Sequence, residues 1–449
     1  MFSIPRLKII ALCAVFGIII ANQAKFLLHL SSMFAVKFMI PAIGVLQYTM
    51  VALSVVGVGP QHEYPPHAVV HDGQTFDFVI VGAGSAGCVL ANRLTEVGNW
   101  SVLLVEAGGD PPGISSSPTL SILTLPAMPD WGYYTTNDRY SSQALKTKSI
   151  RNMRGKMLGG SSGVNFMFYV RGNRADYDGW AELGNDGWNW DNVSTYFMKS
   201  ENLTDTEILN SDSANLHGTK GYLSVSRQMK PEFSDKYLKA FEDSGRKLLL
   251  DINGPQQIGY TNPLFTIHNE TRQSTANAFL KPIKYRTNLN VLKRTLARRI
   301  IFQNNRAVGM EVKLPDGKII TVRANKEVII SAGAINSPQL LMLSGIGPKE
   351  HLQEMGIDVV LNSPNVGNNL QDHPMIPIII LGEENYHSIT ENLNINLGTF
   401  PAATFMGFAA LDKTQSLPDY QIIAFGAPSF AVLPSVMCVD AFTLNDRSC

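Results

Sequence analysis

The stretch FDFVIVGAGSAGCVLANRLTEVGNWSVLLVEAGGD, residues 76–110, contains the pattern that decides the fold. Its first six residues, 76–81, form a largely apolar, β-branched run, which is typical of a central parallel strand buried on both faces. Gly82, Gly84 and Gly87 follow as G-x-G-x-x-G. In such a turn the first glycine permits the tight bend, the second lets the backbone approach a pyrophosphate, and the third lets the helix pack on the strand. The stretch therefore predicts a dinucleotide-binding unit.

The residues after the glycines complete a strand-helix-strand unit. Residues 85–97 are predicted to form the helix, with its first amides directed at the phosphates. Residues 101–105 then form a second apolar strand that ends in Glu106, 19 positions beyond Gly87 (106 − 87). A carboxylate at this spacing accepts hydrogen bonds from a ribose diol and disfavours a 2′-phosphate. We therefore expect FAD or NAD and not NADP, and this stretch does not choose between the two.

A second glycine-rich stretch, RGKMLGGSSGVNFMFYVRG, spans residues 154–172. Within it Gly159, Gly160, Ser161 and Ser162 can present successive backbone amides to phosphate or flavin oxygens. Taken alone, the same residues would also suit a flexible linker. The stretch alone therefore does not distinguish a cofactor-binding turn from a linker, and the other motifs are needed to choose.

A third stretch, SAGAINSPQLLMLSGIG at residues 331–347, follows the apolar strand predicted over 327–330. Ser337 is placed to cap the N-terminus of a helix, Pro338 suits its first position, and Gly345 can end it. Taken alone, this is one more strand-to-helix unit.

Together these stretches resemble the glucose–methanol–choline (GMC) oxidoreductase family, which binds FAD. The run GKMLGGSSGVN, 155–165, is similar to the family's first signature, and GAINSPQLLMLSGIG, 333–347, to its second. NVGNNLQDH, 365–373, resembles a further family motif. HGTKGYLSV, RQSTANAFLKPI and WAELGNDGWNWDNVSTYF are similar in style, above all to insect glucose dehydrogenase-like members. The resemblance runs from about residue 77 to beyond 373, with the motifs in family order.

The resemblance implies which residues hold the cofactor. Those expected at the pyrophosphate and the adenosine ribose are Gly82, Gly84, Ser85, Ala86, Gly87 and Glu106. Those expected along the phosphate and flavin side, and at the adenine end, are Gly159, Gly160, Ser161, Asn165, Phe166, Met167, Phe168 and Ala297. Some family members attach FAD through a histidine at the position that matches Val164. Valine has no nucleophilic nitrogen, so we expect noncovalent FAD.

The family's reaction is alcohol oxidation, which needs a general base for the hydroxyl proton. Histidine suits this role because it titrates near neutral pH. The chain has nine histidines, and only His373 lies in a family motif, where it would support the flavin region without acting as the base. The family's catalytic histidine and its His or Asn partner belong to a C-terminal segment that is not found before Cys449. We therefore expect a C-terminally truncated member whose catalytic residues are unknown and which, as written, does not turn over an alcohol.

Three functions are compatible with these motifs. The leading hypothesis is an FAD-dependent oxidoreductase that acts on the CH–OH group of an alcohol or sugar and passes electrons to a quinone-like acceptor or to oxygen. A lyase is the second, because the same flavin fold can host hydroxynitrile cleavage in which FAD does no redox work. The third is an inactive, FAD-binding remnant.

Composition sets limits on the partners. Lysine plus arginine and aspartate plus glutamate number 37 each, so no net charge attracts the chain to nucleic acid. No cluster of cysteine and histidine has the spacing of metal ligands, and we expect no metal site. Charged residues make up 16%, against roughly 25% in ordinary soluble chains. The apolar N-terminus accounts for part of this difference.

The motifs also predict the domain organisation. The fold class is α/β, with a doubly wound, Rossmann-like FAD-binding domain and an incomplete α+β substrate domain built on an antiparallel sheet. We assign residues 1–60 to a hydrophobic N-terminal segment, 76–374 to the discontinuous FAD-binding region with excursions at about 186–289, and 375–449 to the start of the substrate domain. Candidate strands of that sheet are MIPIIIL, 375–381, and DYQIIAFG, 419–426.

The N-terminus has the features of a secretory signal. Arg6 and Lys8 precede an apolar run of 13 residues, 9–21, which has the charge and length of a signal peptide. A second run, 38–59, has 22 residues without a charge and would be long enough to span a bilayer, although a proline and a glutamine weaken it. We expect a secreted, extracellular protein, with anchoring to a membrane through 38–59 as the alternative.

Expression in insect cells should direct the chain to the secretory pathway, with glycosylated protein in the medium or on membranes. Immunoblots with and without glycosidase treatment measure this. Deletion of residues 9–21 is the control and should leave the protein in the cytosol. Unglycosylated cytosolic protein from the unmodified chain would contradict the prediction.

Overall fold

A computed structural model describes residues 45, 47–50, 52, 63–143, 145, 147–228, 232–376, 378, 399–400, 403–412 and 414–426. The predicted signal run 9–21 lies outside these residues. The apolar run 38–59 and the predicted strand 375–381 lie largely outside them. The predicted strand 419–426 lies within them.

The described residues form a mixed α/β structure. The strands are β1 Thr75–Val81, β2 Val102–Val105, β3 Tyr133–Tyr134, β4 Arg151–Asn152, β5 Glu201–Leu203, β6 Leu223–Arg227, β7 Gly259–Thr261, β8 Leu264–Phe265, β9 Ile267–His268, β10 Thr271–Arg272, β11 Leu289–Leu292, β12 Leu296–Gln303, β13 Arg306–Lys313, β14 Ile319–Ile330, β15 Ile346–Gly347, β16 Leu361–Asn362, β17 Ala403–Ala409 and β18 Tyr420–Gly426. The α-helices are α1 Ser85–Leu94, α2 Pro118–Leu123, α3 Arg174–Glu182, α4 Trp190–Ser200, α5 Thr206–Leu209, α6 Glu232–Asp243, α7 Gly333–Leu343 and α8 Lys349–Glu354.

The largest sheet has six strands in the order β11-β2-β1-β14-β13-β12. The first four run parallel, with β1 between β2 and β14, and β13 then pairs antiparallel with both β14 and β12. The carboxyl ends of the parallel strands therefore meet at one edge. In an open α/β sheet this edge is where ligands bind.

Both faces of this sheet are buried. Alternate side chains of β1 and β2 point to opposite faces, because successive residues of a strand do so. One face packs Ile80 and Leu104 against Cys88 and Ala91 of α1. The other face packs Val79 and Val81 of β1 and Leu103 of β2 in one cluster with Leu340 of α7. The predicted doubly wound domain is confirmed, and burial of each large apolar side chain stabilises it by roughly 1.5–3 kcal/mol.

Helix α1 is shorter than the sequence pattern predicts. It ends at Leu94 and not at residue 97, with Thr95 as its C-terminal cap. The Thr95 hydroxyl donates hydrogen bonds to the carbonyls of Ala91 at 2.7 Å and Asn92 at 3.1 Å. These bonds satisfy carbonyls of the last turn, so the helix stops there.

The prediction that Ser337 caps a helix beginning at Pro338 is wrong. Helix α7 begins five residues earlier, at Gly333, and Pro338 lies inside it. Gly333 has a φ of +86°, which lets the chain turn directly from β14 into the helix. Because Pro338 has no N–H, it cannot donate a hydrogen bond within the helix. The start at Gly333 adds a turn of helix, with its hydrogen bonds, before the proline. The predicted end is right, because α7 stops at Leu343, and Gly345, with a φ of +85°, follows its cap.

Five smaller sheets accompany the first in the described residues, and two of these are larger than a single pair of two-residue strands. Strands β5, β6 and β8 form one of them, and β17 pairs antiparallel with β18 over seven residues to form the other. The predicted strand 419–426 is confirmed as β18. Ile258, just before β7, bridges to Phe408 of β17, which joins this hairpin to the preceding part of the chain. The antiparallel sheet expected of a substrate domain is therefore present.

A short helical stretch near the N-terminus packs on the domain. Gln47 is buried, and its Nε2 donates a hydrogen bond to the carbonyl of Leu123 at 2.6 Å. Met50 packs against the cluster of apolar side chains around Met157. Within the residues that the structure covers, no helix has the length and apolar character needed to cross a membrane.

A buried ion network joins β5 to the loops beside it. His217 lies between two carboxylates, with Nδ1 2.9 Å from Glu201 Oε1 and Nε2 3.0 Å from Asp251 Oδ2. Arg171 donates to the other Glu201 oxygen at 2.8 Å, and all four side chains are at most 2% exposed. Burial alone would lower the pKa of His217, but the hydrogen bonds and charges of Asp251 and Glu201 outweigh it and raise the pKa to about 9.

The network makes stability dependent on pH in the alkaline range. The pKa of His217 is higher in the folded chain than its ordinary value near 6.5. Its contribution to the free energy of unfolding is therefore complete below about pH 6.5 and is lost as the pH rises through about 9. Replacement by glutamine should cost roughly 3–5 kcal/mol near neutral pH, because buried carboxylates lose their partner.

Urea unfolding at pH 6, 8 and 10 measures the free energy of unfolding of the unmodified chain and of His217→Gln. The difference between these two free energies should shrink at pH 10. His351→Gln, at an exposed histidine of α8, is the matched control and should change little at any pH. Equal losses for His217→Gln at all three pH values would contradict the proposed ionisation.

Candidate cofactor site

The glycine turn after β1 is as tight as the sequence predicts. Gly82 has a φ of +93°, and a Cβ there would lie 2.5 Å from the carbonyl oxygen of Ser331. A Cβ at Gly87 would lie 1.9 Å from the carbonyl oxygen of Gly82. Both positions therefore require glycine so that α1 can approach the strands. The Ser331 hydroxyl donates to the carbonyls of Val81 and Gly82 at 3.0 and 2.9 Å, which fixes the turn from the side of β14.

Gly84 differs from the other two glycines because the space around it is open. A Cβ there would meet nothing within 4 Å, and its backbone is extended, with a φ of −78°. Gly84 is the N-cap of α1, and no side chain caps the helix at this end. Ser85 and Ala86, the first helical residues, are exposed. The N-terminal amides of the helix therefore face open space, as an anion site requires.

The second glycine turn lies directly against the first. Gly159 and Gly160 have φ angles of +89° and +51°, and a Cβ at Gly160 would lie 2.8 Å from Cα of Gly84. The amide of Gly159 donates to the carbonyl of Ala83 at 2.7 Å. Residues 76 positions apart (160 − 84 and 159 − 83) are thereby held in backbone contact. The two turns form one concave surface, which we call the glycine cradle: residues 82–87 and 159–163.

Glu106 lies at the end of β2 beside the glycine cradle. Its Oε2 accepts a hydrogen bond from the amide of Ala83 at 2.9 Å, and its Oε1 accepts one from Gly108 at 2.8 Å. The carboxylate is buried, and this burial raises its pKa despite the two backbone hydrogen bonds. Glu106 therefore shapes the first turn, and a ribose would have to share its remaining acceptor positions. Its contact with ribose stays a prediction.

The serines of the second turn hold it in place. The Ser162 hydroxyl donates to the carbonyl of Gly159 at 2.6 Å and accepts from the amide of Thr275 at 2.9 Å. Ser161 Oγ accepts from the amide of Gly155 at 3.3 Å. The turn is thus braced by side chains, and the alternative reading of these residues as a flexible linker is wrong.

Ser161 and the residues 165–168 are predicted to lie along the flavin. Asn165 is exposed, whereas Met167 is buried in the core and has a φ of +63°. Only its backbone is therefore available to a cofactor. Asn165 Oδ1 accepts a hydrogen bond from the amide of Met167 at 3.1 Å, which supports this left-handed turn. We call residues 161–168 the flavin-side segment.

Phenylalanine rings line this segment. Phe166 and Phe168 are half-buried and pack with Phe265, Phe400 and Phe425, the last of which lies on β18. Ring centroids are 5.1 Å apart for Phe168 and Phe265, 5.6 Å for Phe168 and Phe400, and 5.7 Å for Phe400 and Phe425. We call these five rings the phenylalanine wall. It gives this side of the site an apolar surface.

The other predicted residues lie farther from the glycine cradle. Ala297 lies on β12, pairs with Val312 and packs half-buried against the second core face. The chain leading to it does pass the cradle, because the amide of Thr295 donates to the carbonyl of Glu106 at 2.9 Å. His373 is exposed, and its amide donates to the side chain of Asp372. The structure therefore shows no buried setting for His373 that would make it a base.

Sequence reasoning missed Arg272. Arg272 is 1% exposed, and its side chain donates hydrogen bonds to Ser115 and Ser121 near α2 and to Asn165 in the flavin-side segment. Burial lowers the pKa of Arg272 to about 9, so the guanidinium stays cationic at pH 7. Arg272 is the first residue of RQSTANAFLKPI, a stretch whose sequence indicates only a similarity to family members and no role for this arginine. No local pattern indicates that its partners lie more than 100 positions away in the chain.

The site fits a dinucleotide that carries a flavin. Open space at Gly84 and the uncapped start of α1 suit a pyrophosphate, and the absence of Cβ atoms at the facing glycines lets it approach the backbone. The flavin-side segment and the phenylalanine wall extend this surface. Fold and site together define a dinucleotide-binding protein of the doubly wound class.

Comparisons identify the family. The chain belongs to the GMC oxidoreductase family, whose model matches residues 76–375. The family prediction is confirmed, and it implies FAD as the cofactor.

Among named relatives, the ecdysone oxidase of Bombyx mori is 44% identical over 391 residues, which cover 86% of this chain and 58% of that protein. The glucose dehydrogenase [FAD, quinone] of Drosophila melanogaster is 40% identical over 301 residues, 66% of this chain and 48% of that protein. Among solved structures, formate oxidase of Aspergillus oryzae RIB40 matches with a TM-score of 0.65 and 30% identity, over 77% of this chain and 63% of that one. The chain thus spans about half to two thirds of these relatives.

Gly84→Val should abolish FAD binding and leave the fold intact. The protein has room for the new side chain, but that room is where the pyrophosphate would lie. Flavin fluorescence titration measures the affinity, and circular dichroism with a thermal melt checks the fold. Gly98→Val, at a glycine that also has nothing within 4 Å but lies in the turn before β2, is the matched control and should bind FAD normally. Unchanged FAD affinity in Gly84→Val would show that the pyrophosphate lies elsewhere.

Proposed function

We propose that the protein is an FAD-dependent oxidoreductase that acts on the CH–OH group of an alcohol, with the cofactor bound noncovalently. The observation that supports this most directly is the contact between Gly84 and Gly160, which forms a concave backbone surface beside the exposed N-terminus of α1. Membership of the GMC family supports the reaction class.

Noncovalent binding follows from the side chain at the position where some family members carry a histidine. Val164 is 6% exposed and packs in the apolar cluster with Met157 and Leu125. It offers no nucleophile. In this proposal the cofactor is held by the backbone amides of the glycine cradle and the first turn of α1, and by the carboxylate of Glu106.

Bound FAD would supply the acceptor for the two electrons taken from the substrate. The chain's own residues bind the phosphates, orient the ring system along the flavin-side segment and limit the access of water on one side. The phenylalanine wall contributes this last effect, because Phe265 and Phe400 are buried and the other three rings are half-buried.

The phenylalanine wall favours an alcohol on an apolar skeleton over a sugar. Contact with an aromatic surface stabilises apolar substrate atoms, whereas the hydroxyls of a sugar need hydrogen-bond partners that these rings lack. The ecdysone oxidases, named for a steroid, support the same choice with identities of 44% and 39%. We therefore propose a hydroxysteroid as the substrate class, with a sugar or a simple alcohol as the alternative and oxygen or a quinone as the acceptor.

This proposal departs from the expectation, drawn from the sequence alone, that the chain as written does not turn over an alcohol. It predicts that FAD-loaded protein shows bleaching of the flavin absorbance on anaerobic addition of ecdysone, and less or none with glucose, choline or methanol. Reoxidation by oxygen, compared with a quinone under anaerobic conditions, identifies the acceptor. Consumption of a hydroxynitrile without flavin bleaching would instead support a lyase. FAD-loaded, folded protein that no alcohol reduces would contradict the proposed reaction.

Phe166→Ser tests the contribution of the phenylalanine wall to specificity. Loss of one half-buried ring should lower kcat/KM for the steroid about tenfold, which corresponds to roughly 1.4 kcal/mol of apolar contact. The value for a small alcohol should change much less. Phe302→Ser, at a half-buried ring of β12 on the far side of the large sheet, is the matched control. An equal loss for both substrates would indicate a general packing defect.

A further inference from the structure

Arg272 is a buried cation whose hydrogen-bond partners among the described residues are all neutral groups. Its Nε donates to the carbonyl of Ser115 at 3.1 Å, and its Nη2 donates to the hydroxyl of Ser121 at 2.7 Å. Its Nη1 donates to the carbonyls of Ser162 at 3.3 Å and Asn165 at 2.9 Å, and to Asn165 Oδ1 at 2.8 Å. The guanidinium therefore joins the residues before and within α2 to the flavin-side segment.

Arg272 differs from Arg171, which is also deeply buried, in the groups that surround its charge. Arg171 is paired with Glu201 at 2.8 Å. In the described part of the chain, Arg272 forms no ion pair with a carboxylate. Burying an unpaired charge is costly, and the cost is reduced here by five hydrogen bonds. The positive field of the guanidinium is consequently not cancelled by an adjacent anion.

The same hydrogen bonds support a strained turn. Asn165 Oδ1 accepts from both Arg272 and the amide of Met167. Met167 has a φ of +63°, a conformation that costs a non-glycine residue about 1–3 kcal/mol and persists only when its surroundings enforce it. Arg272 fixes the Asn165 side chain, and Asn165 fixes the turn at Met167.

We propose that Arg272 is a positioning residue for the flavin, which fixes the shape of the flavin-side segment and makes the bound cofactor easier to reduce. This inference rests on the proposed function, in which the flavin ring lies along residues 161–168. Reduction adds negative charge to the ring, and a nearby cation without a counter-anion stabilises that charge. Neutral acceptors suit this role, because a carboxylate partner would cancel the effect.

Three substitutions, compared with one another, separate the effect of the charge from that of the geometry. Arg272→Met removes the charge and the hydrogen bonds together. Asn165→Asp keeps Arg272 and both acceptor roles of the side chain, but it places a negative charge against the guanidinium. Arg272→Lys keeps the charge and loses the planar fork. Arg286→Met is the matched control, because that arginine binds the carbonyl of Asn92 and the hydroxyl of Thr95 at the far end of α1.

The midpoint potential of the bound flavin and its dissociation constant are measured in the flavin-loaded proteins, by equilibration with reference dyes and by fluorescence titration. We expect Arg272→Met and Asn165→Asp each to disfavour reduction at least tenfold, which for a two-electron couple is a shift of about 30 mV to more negative potential. Arg272→Lys should bind FAD several-fold more weakly with a smaller shift, and Arg286→Met should match the unmodified protein.

Asn165→Asp decides the question if Arg272→Met does not fold. Unchanged potentials in flavin-loaded Asn165→Asp, and in Arg272→Met where it folds, would overturn the inference and leave the proposed function standing. A folded, unmodified protein that binds no FAD would overturn the proposed function, and this inference would fail with it.

Discussion

The contact between two glycine turns is the constraint on which the site depends. A Cβ at Gly160 would lie 2.8 Å from Cα of Gly84, so neither turn can approach the other unless the second lacks a side chain. The hydrogen bond from Gly159 to Ala83 then fixes their separation. The turn after β1 comes from a parallel strand, and the other comes from a loop braced by Ser162 and Thr275. Because of this contact, the second turn borders the N-terminus of α1, and the surface at the carboxyl end of β1 becomes concave.

The rest of the molecule supports this contact from several directions. Glu106 binds the amide of Ala83 from β2, and Ser331 binds the carbonyl of Gly82 from β14. Arg272 supports the residues that follow the second turn, because its hydrogen bonds join the flavin-side segment to α2. The site therefore depends on groups that lie far apart in sequence. Two of them, Glu106 and Arg272, are buried ionisable side chains whose hydrogen bonds go to neutral groups.

The glycine turn after β1 could be predicted from the sequence, whereas the hydrogen bonds of Arg272 could not. Gly82 and Gly87 have a local meaning, because each answers a steric demand of one strand-to-helix turn, and the observed close approaches agree with it. Gly84 has no such contact and leaves open space at the start of α1. The start of α7 was mispredicted because Pro338 suggests a first helical position, whereas the turn at Gly333 determines the observed one. Arg272 carries no local pattern at all. Its partners at Ser115 and Asn165 are 157 and 107 positions away, and only the folded chain brings them together.

Identification of the flavin in purified protein tests the central claim most directly. The protein should be isolated in folded form, its absorbance recorded, and the cofactor released by acid precipitation and identified by mass. We expect a flavin spectrum, with FAD in the supernatant and none attached to the precipitated chain, because in the proposed function the glycine cradle binds the dinucleotide and Val164 offers no covalent link. Folded protein that binds NAD and no flavin, or flavin that stays with the precipitate, would contradict it.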